Sequence, residues 1–345
     1  MKKTLIAAAI AALALAGCGG TGGQAARQQI RIVGSSTVFP FTRAVAERFG
    51  QANAQNGAPI VESTGTGGGI SQFCQGVGAN TPDIVNASRR MKASELEACN
   101  RNGVAQVIEI PVGIDGLTLI ESVREPAFQL TARDVYAALA ANPFGRPQTA
   151  RTWRDVNASL PAIPIRVYGP PPTSGTRDSF AELILEKGCD TDEAMKALKT
   201  QDSDRHKTVC TQIREDGAWV DAGEDDNLLV QRVSDNPGWL GVLGFSFLQA
   251  NQDRVRGIPI AGVAPTAETI QDLSYPGARQ LYIYVKGEHM AAIPGLREFL
   301  AEYQRGWAQG GYLTQIGMIP SATDVQARAG QQITNPRPLT AADLH

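Results

Sequence analysis

IRIVGSSTVFPFTRAVAERFG, residues 30–50, decides how this chain is read. Residues 30–33 form a short, mainly apolar strand. A knot of Gly34, Ser35, Ser36 and Thr37 interrupts it. From Pro40, a favoured early helical residue, Phe41, Ala44, Val45 and Phe49 recur at helical spacing. Strand, polar knot and helix in succession form the repeating unit of an α/β domain.

The unit recurs along the chain. Residues 59–62 read as a strand, followed by STGTGGG (63–69) and a helical face of Ile70, Phe73, Cys74 and Val77. Residues 83–85 read as a third strand, followed by NASRR (86–90). Ser94-Glu95-Leu96-Glu97 reads as a capping box opening a third helix. Residues 106–120 hold one or two strands, interrupted at Gly113 and at Asp115-Gly116. Residues 165–168 form a strand ahead of GPPPTSGTRDSF (169–180) and a helix carrying Phe180, Leu183 and Ile184. Residues 280–285 alternate as a strand, and 294–307 form a long helix with Leu296, Phe299, Leu300 and Tyr303 on one face. The pattern predicts an α/β fold with a largely parallel sheet.

The first twenty residues read differently. Lys2 and Lys3 precede an apolar run over residues 5–16, too short to span a bilayer. Leu15-Ala16-Gly17-Cys18 then resembles a bacterial lipobox, so residues 1–17 are expected to be a cleaved lipoprotein signal and Cys18 its lipidation site. A plain cleaved signal with a chance cysteine is the alternative. Loss of Lys2 and Lys3 takes the formal charge from -2 to -4. Residues 18–29 have the composition of a flexible tether. The chain is thus expected outside the cytoplasmic membrane, held by lipid alone.

Composition excludes several function classes. No basic tract exists and aromatic residues are 6% of the chain, which argues against nucleic acid. Of the 5 cysteines, four remain after Cys18, and an even number in an exported chain implies disulfides. The pairing that closes two local loops is Cys74–Cys99 with Cys189–Cys210, each worth about 3 kcal/mol by loop-closure entropy. No metal site or cofactor is expected: CxxC is absent, and His206, His289 and His345 are scattered. His206, in the polar run 201–208, is expected at the surface. The acidic segment 214–227 is expected to be a solvated hairpin or loop, since it lacks the EF-hand pattern.

The recurring knots carry the chemistry. In a parallel sheet, strand-to-helix joints gather at the carboxyl edge, where ligands collect. The first turn of a helix presents amide hydrogens without internal partners and a partial positive charge. Glycine lets the backbone approach a ligand closely, and hydroxyls can rotate to donate to it. Residues 34–38, 63–69, 86–90 and 172–178 would together make an oxyanion cage. Arg89 and Arg177 offer charge-assisted forks suited to tetrahedral oxygens.

GSSTVFP, STGTGGG, IVNASRR, VGIDGL and TSGTRDSF, in this order and spacing, resemble the PstS family of phosphate-binding lipoproteins of phosphate ABC transporters. The likeness extends through CTQIREDGAWVDAGEDDN, NPGWLGVLGFSFL and PGLREFLAEY, as in a Gram-negative branch of that family. It implies a type II periplasmic binding protein, with two α/β lobes joined by two crossover segments. Lobe 1 would span residues 30–113 plus 268–345, and lobe 2 residues 114–267, with crossings near 112–117 and 265–276. The resemblance implies a monomeric, non-enzymatic protein that takes inorganic phosphate with high affinity and delivers it to the permease of an ABC transporter.

Carried over residue by residue, the implied ligand set is Ser36, Thr37, Val38, Thr66, Gly67, Ser88, Arg89, Asp115, Ser174, Gly175, Thr176 and Arg177. Gly67 stands where better-known members have serine. Arg89 stands where many carry an aspartate. The arginine that many members place ahead of the SGT turn is replaced by GPPP, with Arg177 after the turn instead. Asp115 is the candidate acceptor for the proton that distinguishes phosphate from sulfate, with Asp178 the next choice. These departures keep sulfate, arsenate and molybdate as alternative guests. A phosphatase using Ser174 fits poorly, because no GxSxG elbow, HExxH or P-loop occurs.

Overall fold

The computed structural model describes residues 29–53, 57–124, 127–223 and 225–344. The leader, Cys18 and the tether up to residue 28 lie outside the described residues. Nine strands are described: β1 (Arg31–Gly34), β2 (Ile60–Ser63), β3 (Ile84–Ala87), β4 (Val107–Ser122), β5 (Val167–Gly169), β6 (Trp219–Asp221), β7 (Leu240–Gly244), β8 (Val255–Gly257) and β9 (Ala278–Lys286). Their order is β2-β1-β3-β9-β4-β7-β5-β6, with β8 also on β4.

The sheet is mixed and not largely parallel. β1 runs parallel to β2 and β3, and β5 parallel to β6 and β7. Between these ends, β9 pairs antiparallel with β3 and β4, and β4 pairs antiparallel with β7 and β8. The reason lies in β4. Gly113 and Asp115-Gly116 do not break it; a single bulge between Pro111 and Gly113 absorbs the irregularity. Its first ten residues pair with β9, and the remainder turns to β7 and β8. Gly113 and Gly116 are needed in this continuous strand. A Cβ on Gly113 would lie 2.6 Å from Met318, and one on Gly116 2.7 Å from Ile319.

Alternation along the strands builds two apolar layers around the first half of the sheet. Ile32, Ile84, Ile110 and Ile283 face the helices Phe39–Ala52 and Leu296–Trp307. Val33, Val85, Val107 and Tyr284 face the helices Thr66–Phe73 and Ala93–Arg101. A third core fills the second half around Trp153, Phe180, Val167, Leu240 and Val242. Disulfides Cys74–Cys99 and Cys189–Cys210 are both formed, each tying two helical segments. Among the described residues, no helix is long and apolar enough to cross a membrane.

Three local expectations are corrected. The helix Ala93–Arg101 starts earlier than the capping box at Ser94 implied: Lys92 is the N-cap, and Glu95 accepts from its amide at 2.8 Å. His206 is buried, with Nε2 2.7 Å from Asp190 Oδ1. It lies near Cys189 and Cys210, but those sulfurs are bonded to each other. The acidic segment is more than a solvated loop. Arg214, Ala218 and Trp219 are buried, residues 219–221 form the edge strand β6, and Asp225 caps the helix Asp226–Asp235. Its apolar Trp219 and Val220 open β6, and its carboxylates supply turns and caps.

Candidate functional site

The three joints of the first half emerge side by side, because β1, β2 and β3 are parallel and in register. Gly34 lies opposite Ser63 on one flank and Asn86 on the other. Gly34 has φ +125°, and a Cβ there would fall 2.2 Å from the Asn86 carbonyl oxygen, so only glycine fits. A Cβ on Gly69 would lie 2.5 Å from Gly34 Cα, so the helix Thr66–Phe73 presses directly on this turn. Thr66 and Ser88 join their hydroxyls at 2.9 Å, and the Ser88 amide donates to Thr66 Oγ1 at 3.1 Å. These contacts gather Thr66, Gly67 and Ser88 around the opening strand–helix turn.

The fourth joint meets them from the other half. A Cβ on Gly175 would lie 3.0 Å from Thr37 Cα and 3.1 Å from the Ser36 carbonyl oxygen. Ser36 Oγ donates to Asp178, and Thr37 Oγ1 lies 3.3 Å from Ser179 Oγ. Ser174 caps the helix Gly175–Phe180 by accepting from the Thr176 amide at 3.2 Å. The helices beginning at Phe39 and Thr66 have N-caps, Val38 and Gly65, without a side-chain hydrogen bond. Gly67 and Gly68 are exposed, and beyond the helix's own backbone nothing lies within 4 Å of where a Gly68 Cβ would sit. The helix start at Thr66 therefore presents amides and partial positive charge to an accessible position.

The arginines divide sharply. Arg89 forks onto Glu95 at 2.7 and 2.9 Å, with Nη2 4.0 Å from where a Gly67 Cβ would sit. This hydrogen-bonded pair raises the Arg89 pKa. Burial alone would lift the Glu95 carboxyl, but the Arg89 fork and the Lys92 amide outweigh it and hold it below the usual range. Arg177 stands 5.2 Å from the Trp219 ring centre, and its Nη1 donates to the Pro170 carbonyl at 3.3 Å. Burial lowers its pKa.

A third arginine, not singled out in the sequence, lies where the halves touch. Arg279 of β9 is opposite Asp115 of β4. It is 8% exposed. Nε donates to Asp115 Oδ2 at 3.2 Å; Nη2 donates to Thr37 Oγ1 at 2.8 Å and Ser179 Oγ at 2.7 Å; Nη1 donates to Glu182. The Ser179 hydroxyl reaches Asp115 Oδ2 at 2.7 Å and the Gly175 carbonyl at 2.9 Å. Ser179 and Glu182, not singled out in the sequence either, follow the SGT turn by about one and two helical turns. The available signal was a charged residue opening the alternating strand over 280–285, but its partner could be named only once the β4–β9 register was known.

Comparison with known proteins matches residues 19–305 to the PBP superfamily domain. Protein SphX of Synechococcus elongatus is 34% identical over 316 residues, 89% of this chain and 82% of that protein. Phosphate-binding protein PstS of Staphylococcus saprophyticus is 28% identical, over 84% of this chain and 81% of its own. A crystal structure described as a possible phosphate binding protein, from Planctomyces limnophilus, superposes with TM-score 0.73 at 26% identity, covering 89% of this chain and 98% of that one. An ABC-type phosphate transport receptor from Vibrio cholerae shares the fold, with TM-score 0.58 at 20% identity over 84% of this chain and 99% of the other. By the family match over residues 19–305 and the 34% identity to SphX over 89% of its length, this chain belongs to the PBP superfamily, in the group that holds SphX and PstS.

Proposed function

We propose that this protein is a binding protein, not an enzyme, that takes inorganic phosphate at the line where Ser36 and Thr37 meet Gly175 and delivers it to an ABC transporter permease. The observation that carries the reading is this meeting of four chain segments: three hydroxyl-rich helix starts, at Phe39, Thr66 and Gly175, and Ser88 at the end of β3. Relatives named for phosphate binding support the choice of guest. In this reading the Val38, Gly67, Gly175 and Thr176 amides and the Ser36, Thr37, Thr66, Ser88 and Ser174 hydroxyls supply donors. Arg89 and Arg177 contribute field more than direct forks, since both are engaged elsewhere.

Asp115 is the selective acceptor. Its Oδ2 takes Arg279 and Ser179, while Oδ1 takes part in neither bond. Phosphate near neutral pH carries a proton that a carboxylate can accept; sulfate offers none and is repelled. The lobes divide at 30–113 plus 268–345 and 114–267, closing about β4 and β9. Cys18 anchors the monomer by lipid in the periplasm.

A thermal melt with phosphate or sulfate tests this. Phosphate at about 100 times its Kd adds roughly 2.7 kcal/mol of stability, with a matching rise in Tm, and sulfate adds little. Equal stabilisation by both, or by neither, refutes the choice of guest.

A further inference from the structure

We propose that Arg279 supplies the positive charge facing the bound oxyanion, and that Glu182 holds this guanidinium in competition with it, giving it up as the anion enters. The inference rests on the phosphate reading and names how that site is charged and tuned.

Charge placement leads to Arg279. Arg89 is forked on Glu95, which also caps a helix, and Arg177 is spent on Trp219 and the Pro170 carbonyl. Arg279 alone of the three touches both sides of the meeting line, through Thr37 and Ser179. It comes from the central strand β9, so its stem is fixed by the sheet while its fork is held only by side chains. A planar fork with several donors suits a tetrahedral oxyanion better than a single carboxylate.

Its partners are unequal. The Asp115 side chain is 19% exposed, whereas Glu182 is 51% exposed. Thr37 and Ser179 are buried. The half-exposed carboxylate returns to water at small cost, whereas the buried guanidinium needs a replacement partner, which the entering anion supplies. A doubly charged phosphate held by surrounding amides makes the stronger claim on the same nitrogen.

The local backbone supports an adjustable Glu182. Residues Ala181–Leu185 form a π-helical turn between Gly175–Phe180 and Glu186–Cys189. Such turns are uncommon and recur at functional positions. Glu182 lies within this turn. Its carboxylate there also acts electrostatically on Arg89.

The opposing interpretation is a strap: Glu182 and Arg279 merely fasten the halves. Calorimetric titration of the full chain with inorganic phosphate separates the two, comparing wild type with Glu182→Gln, Arg279→Lys and Arg279→Gln. Asp324→Asn, which removes the same charge at a remote exposed pair, is the control. Measurements at about 0.15 M and 1 M NaCl remove long-range field effects. Competition predicts about tenfold tighter phosphate binding for Glu182→Gln at both salt concentrations, and about 100-fold weaker binding for Arg279→Gln, with Arg279→Lys between that and wild type. Because Arg279→Gln could disturb folding, Glu182→Gln decides between the two interpretations. If it binds no tighter than Asp324→Asn, or melts earlier and binds more weakly, the strap is correct and the inference fails alone. If wild type does not bind phosphate, the phosphate reading and this inference fall together.

Discussion

Arg214 and Arg279 are both buried arginines paired with aspartate, yet they are held in opposite ways. Arg214 donates Nε to Asp216, two residues along the chain, and Nη1 to the Ala138 and Ala150 carbonyls at 2.9 and 3.0 Å. Its acceptors are one neighbouring side chain and backbone oxygens that cannot leave. Arg279 has no backbone acceptor among these contacts. Its fork is shared by Thr37, Asp115, Ser179 and Glu182, which come from three distant segments. An arginine saturated by backbone is a pin; one held by side chains from separate segments can exchange partners. The first belongs to folding, the second to recognition.

The largest expected effect falls on the pin. Arg214→Ala takes this donor from the buried Ala138 and the half-buried Ala150 carbonyls and opens a cavity, costing about 3 kcal/mol of stability in urea unfolding. Phosphate affinity of the folded fraction should stay at the wild-type value. A matching loss of affinity would show that Arg214 shapes the site, and the division between the two arginines would break.

A smaller effect is expected on the exchangeable side. Asp115→Asn should lower the preference for phosphate over sulfate by about 2 kcal/mol, near 30-fold, because a neutral amide no longer repels sulfate. Competition titration of both anions reads this ratio. An unaltered ratio would make Asp115 as purely structural as Asp216.

The same contrast explains what could be read from the chain beforehand. The opening strand, its helix from Pro40, the strand over 280–285 and both disulfides follow from local period and loop closure, and they stand. The joints were visible because Gly, Ser and Thr cluster locally. Continuity of β4 was not, since Asp115-Gly116 reads as a turn and only its pairing with β9 overrides that signal. The same register places Asp115 against Arg279, a relation between residues 164 apart in sequence. His206 departs from its local pattern for a similar reason. Its neighbours are polar, but the Cys189–Cys210 bridge and Asp190 draw it inside. Information spread over distant segments is what defines the recognition arginine, and it is also what local patterns omit.

Acid supplies the finest test of the pin. The Arg214 fork, above all its hydrogen bonds, holds Asp216 down at about 2, below the ordinary value near 3.9 for an unfolded chain. A carboxyl depressed on folding contributes stability that is complete above its unfolded pKa and disappears as pH falls through the folded one. The window therefore runs from about pH 4 down to pH 2, and no change from this group is expected between pH 5 and 8. Asp216 faces solvent in part, so screening limits its contribution to less than about 1 kcal/mol. The stability difference between wild type and Asp216→Asn isolates it, because other carboxyls titrate equally in both. That difference should be constant above pH 5 and shrink towards zero near pH 2. A difference that persists to pH 2 would mean that Asp216 holds Arg214 by geometry and not by charge, and the two arginine sites would then differ in more than the mobility of their partners.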